Sequence, residues 1–161
     1  MSDLYPPPSP ERPHSRLAAL QAEIDRARRE LAEAWEGASS ADRIFAVDRL
    51  LREDGLHADA GARLAALHAR VRDAWVEARV SGLSAAGTAA RQAALRLLLA
   101  ERELDALLEA SGLFEPLFLA AEGFLRRVPA ARGRSLKELT RERERELERQ
   151  VHFVPAHGGA A

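Results

Sequence analysis

The reactive or ligating side chains in this chain are histidines, carboxylates and arginines, because cysteine is absent. That absence removes disulfides, thiolate nucleophiles, zinc–thiolate sites and cysteine-ligated iron–sulfur clusters together. The histidines are His14, His57, His68, His152 and His157. None forms a His-Glu-x-x-His pair, and the two Glu-x-x-His motifs that ligate a di-iron four-helix bundle are absent. His68 follows Leu67 on a helical pattern and reads as a boundary residue, while His152 and His157 fall in a polar tail, a poor context for a metal site. Glu101 and Glu103 lie on a leucine-rich helix. A carboxylate turned inward there needs a partner such as an arginine across the bundle, since an unpaired buried charge is costly. A structural ion pair accounts for it better than an acid–base catalyst does. No glycine-rich phosphate loop, Gly-x-Ser-x-Gly elbow or dinucleotide fingerprint occurs. The expectation is a protein that is not an enzyme and has no catalytic residue, cofactor or metal.

The arginines offer a different chemistry. Arg126, Arg127, Arg132 and Arg134 form a locally basic run, with no acid between Glu122 and Glu138, and guanidinium groups so placed can contact phosphates. Cations at a helix C-terminus are also favoured by the helix dipole, which accounts for Arg126 and Arg127 without a ligand. The whole chain carries a formal charge of -1, so no global field draws it to nucleic acid or to a membrane surface.

The elements that position these groups read as helices throughout. Hydrophobic residues make up 47% of the 161 positions but aromatic residues only 5%, the balance of long-helix proteins rich in Ala, Leu, Arg and Glu. Residues 1–14 are proline-rich and expected to be extended. A helix follows from about Ser15 to Glu36, with Leu17, Leu20, Ile24, Ala27, Leu31 and Ala34 at three- and four-residue spacing leading into Trp35. Ser39, with Asp42 beyond it, or Ser40 alone can start a short helix through Ile44, Phe45, Val47, Leu50 and Leu51, closed by Asp54-Gly55. Asp59 is a candidate cap for a long helix with Leu64, Leu67, Val71, Ala74 and Ala78 in a heptad stripe. Ser81-Gly82-Leu83-Ser84 is expected to end that helix, glycine accepting the left-handed conformation. In the next helix Leu95, Leu97, Leu98 and Leu99 point several ways around the axis, so one groove cannot bury them all. Ala110-Ser111-Gly112 breaks the chain, and Pro116 sits in the first turn of a further helix with Leu117, Ala121, Phe124, Leu125 and Val128 on its apolar face.

Residues 129–134 read as a linker. Ser135 with Glu138 fits a capping box, opening an Arg/Glu-alternating helix over 135–154. Residues 155–161 are expected to be disordered. Residues 15–128 then form the core domain. No apolar run is long enough to span a bilayer, and the opening residues carry no basic-then-apolar signal, so a cytoplasmic protein is expected.

The order of pieces resembles the YlbF/YmcA/YheA family of small bacterial helical proteins over roughly residues 20–128. The matching runs are residues 27–34 for the first helix, Asp42 to Leu51 for the short helix, Leu64 to Gly82 for the long helix, and Leu107 to Phe114 for the final break. The resemblance implies a regulator that associates as dimers or higher complexes. Some family members act with partner proteins as accessory factors for an RNA-degrading nuclease. Some carry iron–sulfur clusters, and this chain, without cysteine, departs from them there.

The expected fold is therefore all-α, an elongated helical bundle of about five core helices with long antiparallel pairs and a charged C-terminal helix. The expected function is that of an adaptor that forms a homodimer and binds a protein partner, such as a ribonuclease or a related helical protein, in RNA processing or turnover. Leu95, Leu97, Leu98, Leu99, Leu104 and Leu108 are the candidate self-association residues. The alternatives are a nucleic-acid-binding protein using Arg126, Arg127, Arg132 and Arg134, and a structural coiled-coil scaffold.

Overall fold

A computed structural model of the chain describes residues 13–83, 87–127 and 133–158. The described residues form an all-α helical bundle of six helices: α1 (Pro13–Gly37), α2 (Ser40–Arg52), α3 (Ala58–Leu83), α4 (Gly87–Ala110), α5 (Phe114–Leu125) and α6 (Leu136–Gly158). No helix among the described residues is long and apolar enough to cross a membrane.

The helices group into two compact units, which cut across the boundaries expected from composition. One comprises residues 1–30 and 132–161, and the other residues 31–131. In the first unit α6 runs antiparallel to the opening turns of α1. Arg16 pairs with Glu146 at 3.7 Å, and Arg134, at the other end, bonds Glu23 at 2.9 Å and also Glu142. Leu20, Ile24 and Ala27 on α1 are buried, as are Leu136 and Leu139 on α6. Ser135 accepts a bond from the Glu138 amide at 3.1 Å, as the capping-box spacing predicts. The helix continues through Pro155 to Gly158, past the expected break at 154. Pro155 has no N–H to bond the carbonyl four residues before it, so the last turn forms with one helical bond fewer.

In the second unit α3 and α4 form an antiparallel hairpin. Leu64, His68 and Val71 on α3 are buried, and so are Ala93, Ala100, Leu104, Leu107 and Leu108 on α4. Alanine at positions 93 and 100 leaves only a methyl group at those places on α4, which permits close approach of a neighbouring backbone. α2 lies against α3 and also pairs with α5. Phe45 stacks on Phe124 with ring centroids 4.4 Å apart, and Asp42 holds Arg127 at 2.9 Å, so α2 and α5 are antiparallel. Ala46, Val47 and Leu50 of α2 and Leu117, Phe118 and Ala121 of α5 are buried.

The helix ends follow local chemistry. Ser39 caps α2 by accepting from the Asp42 amide at 3.2 Å. Gly112 has φ 64, and its amide bonds the Glu109 carbonyl while that of Leu113 bonds the Leu108 carbonyl at 2.8 Å. These two bonds satisfy the last carbonyls of α4 and require the left-handed glycine between them. Two expected caps differ. Gly82 is helical inside α3, and Asp59 lies within the first turn of α3, where its charge faces the positive end of the dipole.

The leucines of α4 therefore split into two populations. Leu104 and Leu108 are 2% and 0% exposed, whereas Leu95, Leu98 and Leu99 are 54%, 45% and 50% exposed. Replacing Leu104 by Ala is expected to cost about 3 kcal/mol, and Leu95 by Ala less than about 0.5 kcal/mol, in urea unfolding of the two variants at one protein concentration. Equal losses would contradict this placement.

Candidate functional site

Polar residues inside the second unit form a clasp. The Arg43 guanidinium donates to Glu101 Oε2 at 3.1 Å, to the Trp35 carbonyl at 3.0 Å and to the Glu36 carbonyl at 2.8 Å. Ser40 Oγ donates to the other Glu101 oxygen at 2.5 Å. Trp35, 3% exposed, sends its indole N–H to Asp105 at 3.0 Å, and Phe114 meets its ring edge-on at 6.2 Å. The expected ion pair for Glu101 is thus present, and Arg43 also caps the C-terminus of α1, whose last carbonyls lack helical partners. The Arg43 guanidinium spends its three bonds, and Glu101 both its oxygens, on other parts of the fold, so the clasp is structural.

His68 is 3% exposed and not a boundary residue. Its Nε2 lies 2.8 Å from Asp48 on α2, and Arg72 approaches the same carboxylate at 4.0 Å. Its Nδ1 is buried with no hydrogen-bond partner among the described residues. No group of three or more metal-ligating side chains occurs among the described residues.

The four arginines suggested by the sequence are not an open basic patch. Arg126 pairs with Glu122 at 3.3 Å, and Arg127 is held by Asp42 and lies 4.2 Å over the Phe124 ring. Arg134 is bonded to Glu23 and Glu142, and the Glu23 bond leads in raising its guanidinium pKa above the ordinary value. Arg132 lies outside the described residues. Arg126 and Arg127 belong to one unit and Arg134 to the other. Each described member has a carboxylate that a phosphate would have to displace.

Of the six leucines expected to mediate self-association, Leu104 and Leu108 are core residues, and Leu97 is half-buried. Leu95, Leu98 and Leu99 remain at the surface, where Leu99 borders an open groove along the α3–α4 hairpin. The groove consists of two adjoining hollows of about 640 and 370 Å³ that share Arg70 and Glu103. Its floor and walls include Ala66, Leu67, Ala74, Leu99, Ala106 and Leu107, and exposed ion pairs cross it from α3 to α4. Arg70 bonds Glu103 at 2.9 Å, and Arg96 bonds Glu77.

The lining follows a second stripe, which shares Leu67 and Ala74 with the expected heptad stripe and Leu99 with the expected self-association residues but otherwise went unread. Residues 63, 67, 70, 74 and 77 on α3, and 96, 99, 103, 106 and 110 on α4, repeat at alternating three- and four-residue steps. That is the spacing of a packed helical seam. It escaped notice because alanines and charged residues occupy most of it, while the neighbouring stripe through Leu64 and Val71 carries the stronger apolar signal.

No family model, curated protein or solved structure matches the chain.

Removing the central guanidinium tests the clasp. Arg43→Leu leaves Glu101, whose side chain is 12% exposed, with the Ser40 hydroxyl but no cation, and takes a donor from each of the Trp35 and Glu36 carbonyls, so a loss of about 2–4 kcal/mol is expected. Arg43→Lys should recover only part of it, because an ammonium cannot reproduce three diverging bonds. Thermal and urea unfolding of both variants checks the order.

Proposed function

We propose that this chain is a non-enzymatic cytoplasmic adaptor that works by helix–helix contact with other polypeptides. In the manner that its YlbF-like order of helices implies, it would serve as an accessory factor in RNA processing or turnover. The observation that carries the reading is the outward face of the α3–α4 hairpin. It combines an open groove, a seam-spaced row in which alanine and leucine alternate with charged residues, and leucines about half exposed to solvent. Seam spacing of this kind is what one helix presents to another. The Arg126–Glu122 pair, with side chains 12% and 8% exposed, supports a protein partner over a phosphate backbone, since a phosphate contact there must first break a sheltered ion pair.

The test compares tagged full-length bait with its Leu99→Lys variant in host cells, with and without nuclease. Any polypeptide that the wild type retains through nuclease treatment and the variant loses is the expected outcome. Partners that vanish with nuclease, and survive the substitution, would transfer the case to nucleic acid.

A further inference from the structure

We infer that the occupant of the α3–α4 groove is a second copy of the same groove, laid face to face about a twofold axis parallel to the hairpin. The inference rests on the proposed protein-docking role of this face and names its partner.

The argument begins with the charges. At one level along the hairpin the cation is on α3 and the anion on α4, as Arg70 and Glu103. Two helical turns further along α3 the order is reversed, with the anion Glu77 on α3 and the cation Arg96 on α4. The face is therefore a quadrupole. A twofold along the hairpin exchanges α3 for α4 and keeps each residue at its height. Arg70 then meets the partner's Glu103, and Glu77 meets the partner's Arg96, so every charge faces its opposite.

Side-chain size gives an independent reason. The register of the two ion pairs places Leu67 across the groove from Ala106, and Ala74 across from Leu99, all four in its lining. The same rotation brings Leu67 onto the partner's Ala106 and Leu99 onto the partner's Ala74. Large side chains enter the gaps above small ones, the interdigitation that helix packing requires. A twofold running across the hairpin also pairs opposite charges, but it sets Leu99 against the partner's Leu99 and gives Leu67 no alanine to fill. The product of the favoured rotation is a four-helix arrangement in which each helix is antiparallel to its neighbours, so the dipoles oppose.

Two helices over about four turns each offer on the order of 1,000 Å² of total buried surface, the low end for a specific interface. Interfaces at that end of the range are commonly transient, so a reversible dimer is expected. Its charge pairs are exposed and screenable, so association should weaken as salt is raised.

Sedimentation of the purified full-length chain from about 5 µM to 1 mM reads this directly. A monomer–dimer equilibrium that weakens with salt is expected, and a monomer throughout would overturn the inference. Glu77→Arg should weaken association about tenfold or more, with helicity by circular dichroism unchanged. Glu77→Arg combined with Arg96→Glu should bring it back to within about threefold of wild type, because residue 77 again faces the opposite charge on the partner. Under the crosswise twofold that double variant instead sets Arg70 against a new arginine, so a dimer lost in both variants sinks the proposed axis. A monomeric chain whose wild-type bait still retains a different polypeptide, lost with Leu99→Lys, would reject the second copy and leave the docking role standing.

Discussion

The second unit depends on one guanidinium. Arg43 joins the carboxylate of Glu101 on α4 to the terminal carbonyls of α1 from its position on α2, so a single planar group fixes three helices. The need for it comes from composition. A core built largely from alanine and leucine, with few aromatics, packs helices closely but offers little shape to set their register. Directional bonds supply what shape does not, because a guanidinium fork accepts only a narrow set of partner positions. Trp35 adds a second directional contact to α4 through Asp105. Ser40, at the first turn of α2, takes the remaining Glu101 oxygen, and a buried carboxylate with both oxygens bonded no longer carries the penalty of desolvation alone.

The clasp has a geometric consequence. It binds Glu101 and Asp105 of α4, and Asp48 of α2 meets His68 and Arg72 of α3. Those contacts occupy one side of the hairpin, and α5 reaches it through α2. The residues that line the groove stay exposed or half-buried apart from Ala100 and Leu107. The contacts of the claimed side thus decide which face of the hairpin stays open.

Much of this was legible in the sequence. Helix order, the Ser39 cap, the Ser135 capping spacing and the Gly112 stop were readable because each is a local event within a few residues. The ion pair at Glu101 was legible in kind, from the cost of burying a carboxylate, but its partner was not, since fifty-eight residues separate it from Arg43. The grouping of α6 with the opening of α1 was invisible for the same reason. The Ser81–Ser84 segment did mark the end of α3, which stops at Leu83, but Gly82 is helical, because glycine permits a left-handed turn without requiring one. On α4, Leu104 and Leu108 could not be told from Leu95 and Leu99 by residue type. Only the path of α3 and of the clasp decides which leucines face inward.

The ion pairs themselves divide by exposure into two kinds. Arg43–Glu101 has side chains 19% and 12% exposed, whereas Arg70–Glu103 stands at 63% and 55% and Arg96–Glu77 at 54% and 51%. An exposed pair contributes about 0–1 kcal/mol, because water and salt already screen each charge. Breaking it inside one chain to remake it across an interface therefore costs little. A sheltered pair has no such freedom, since either partner left alone sits in a low-dielectric surround. The fold thus assigns the sheltered Arg43 to holding helices together and leaves the exposed Arg70 and Arg96 exchangeable. An apolar stripe of leucines along the same groove would bind more tightly and far less selectively. A seam of alanine, leucine and alternating charge admits a surface whose charges run in the reverse order, and the second copy of that hairpin, turned over, is such a surface.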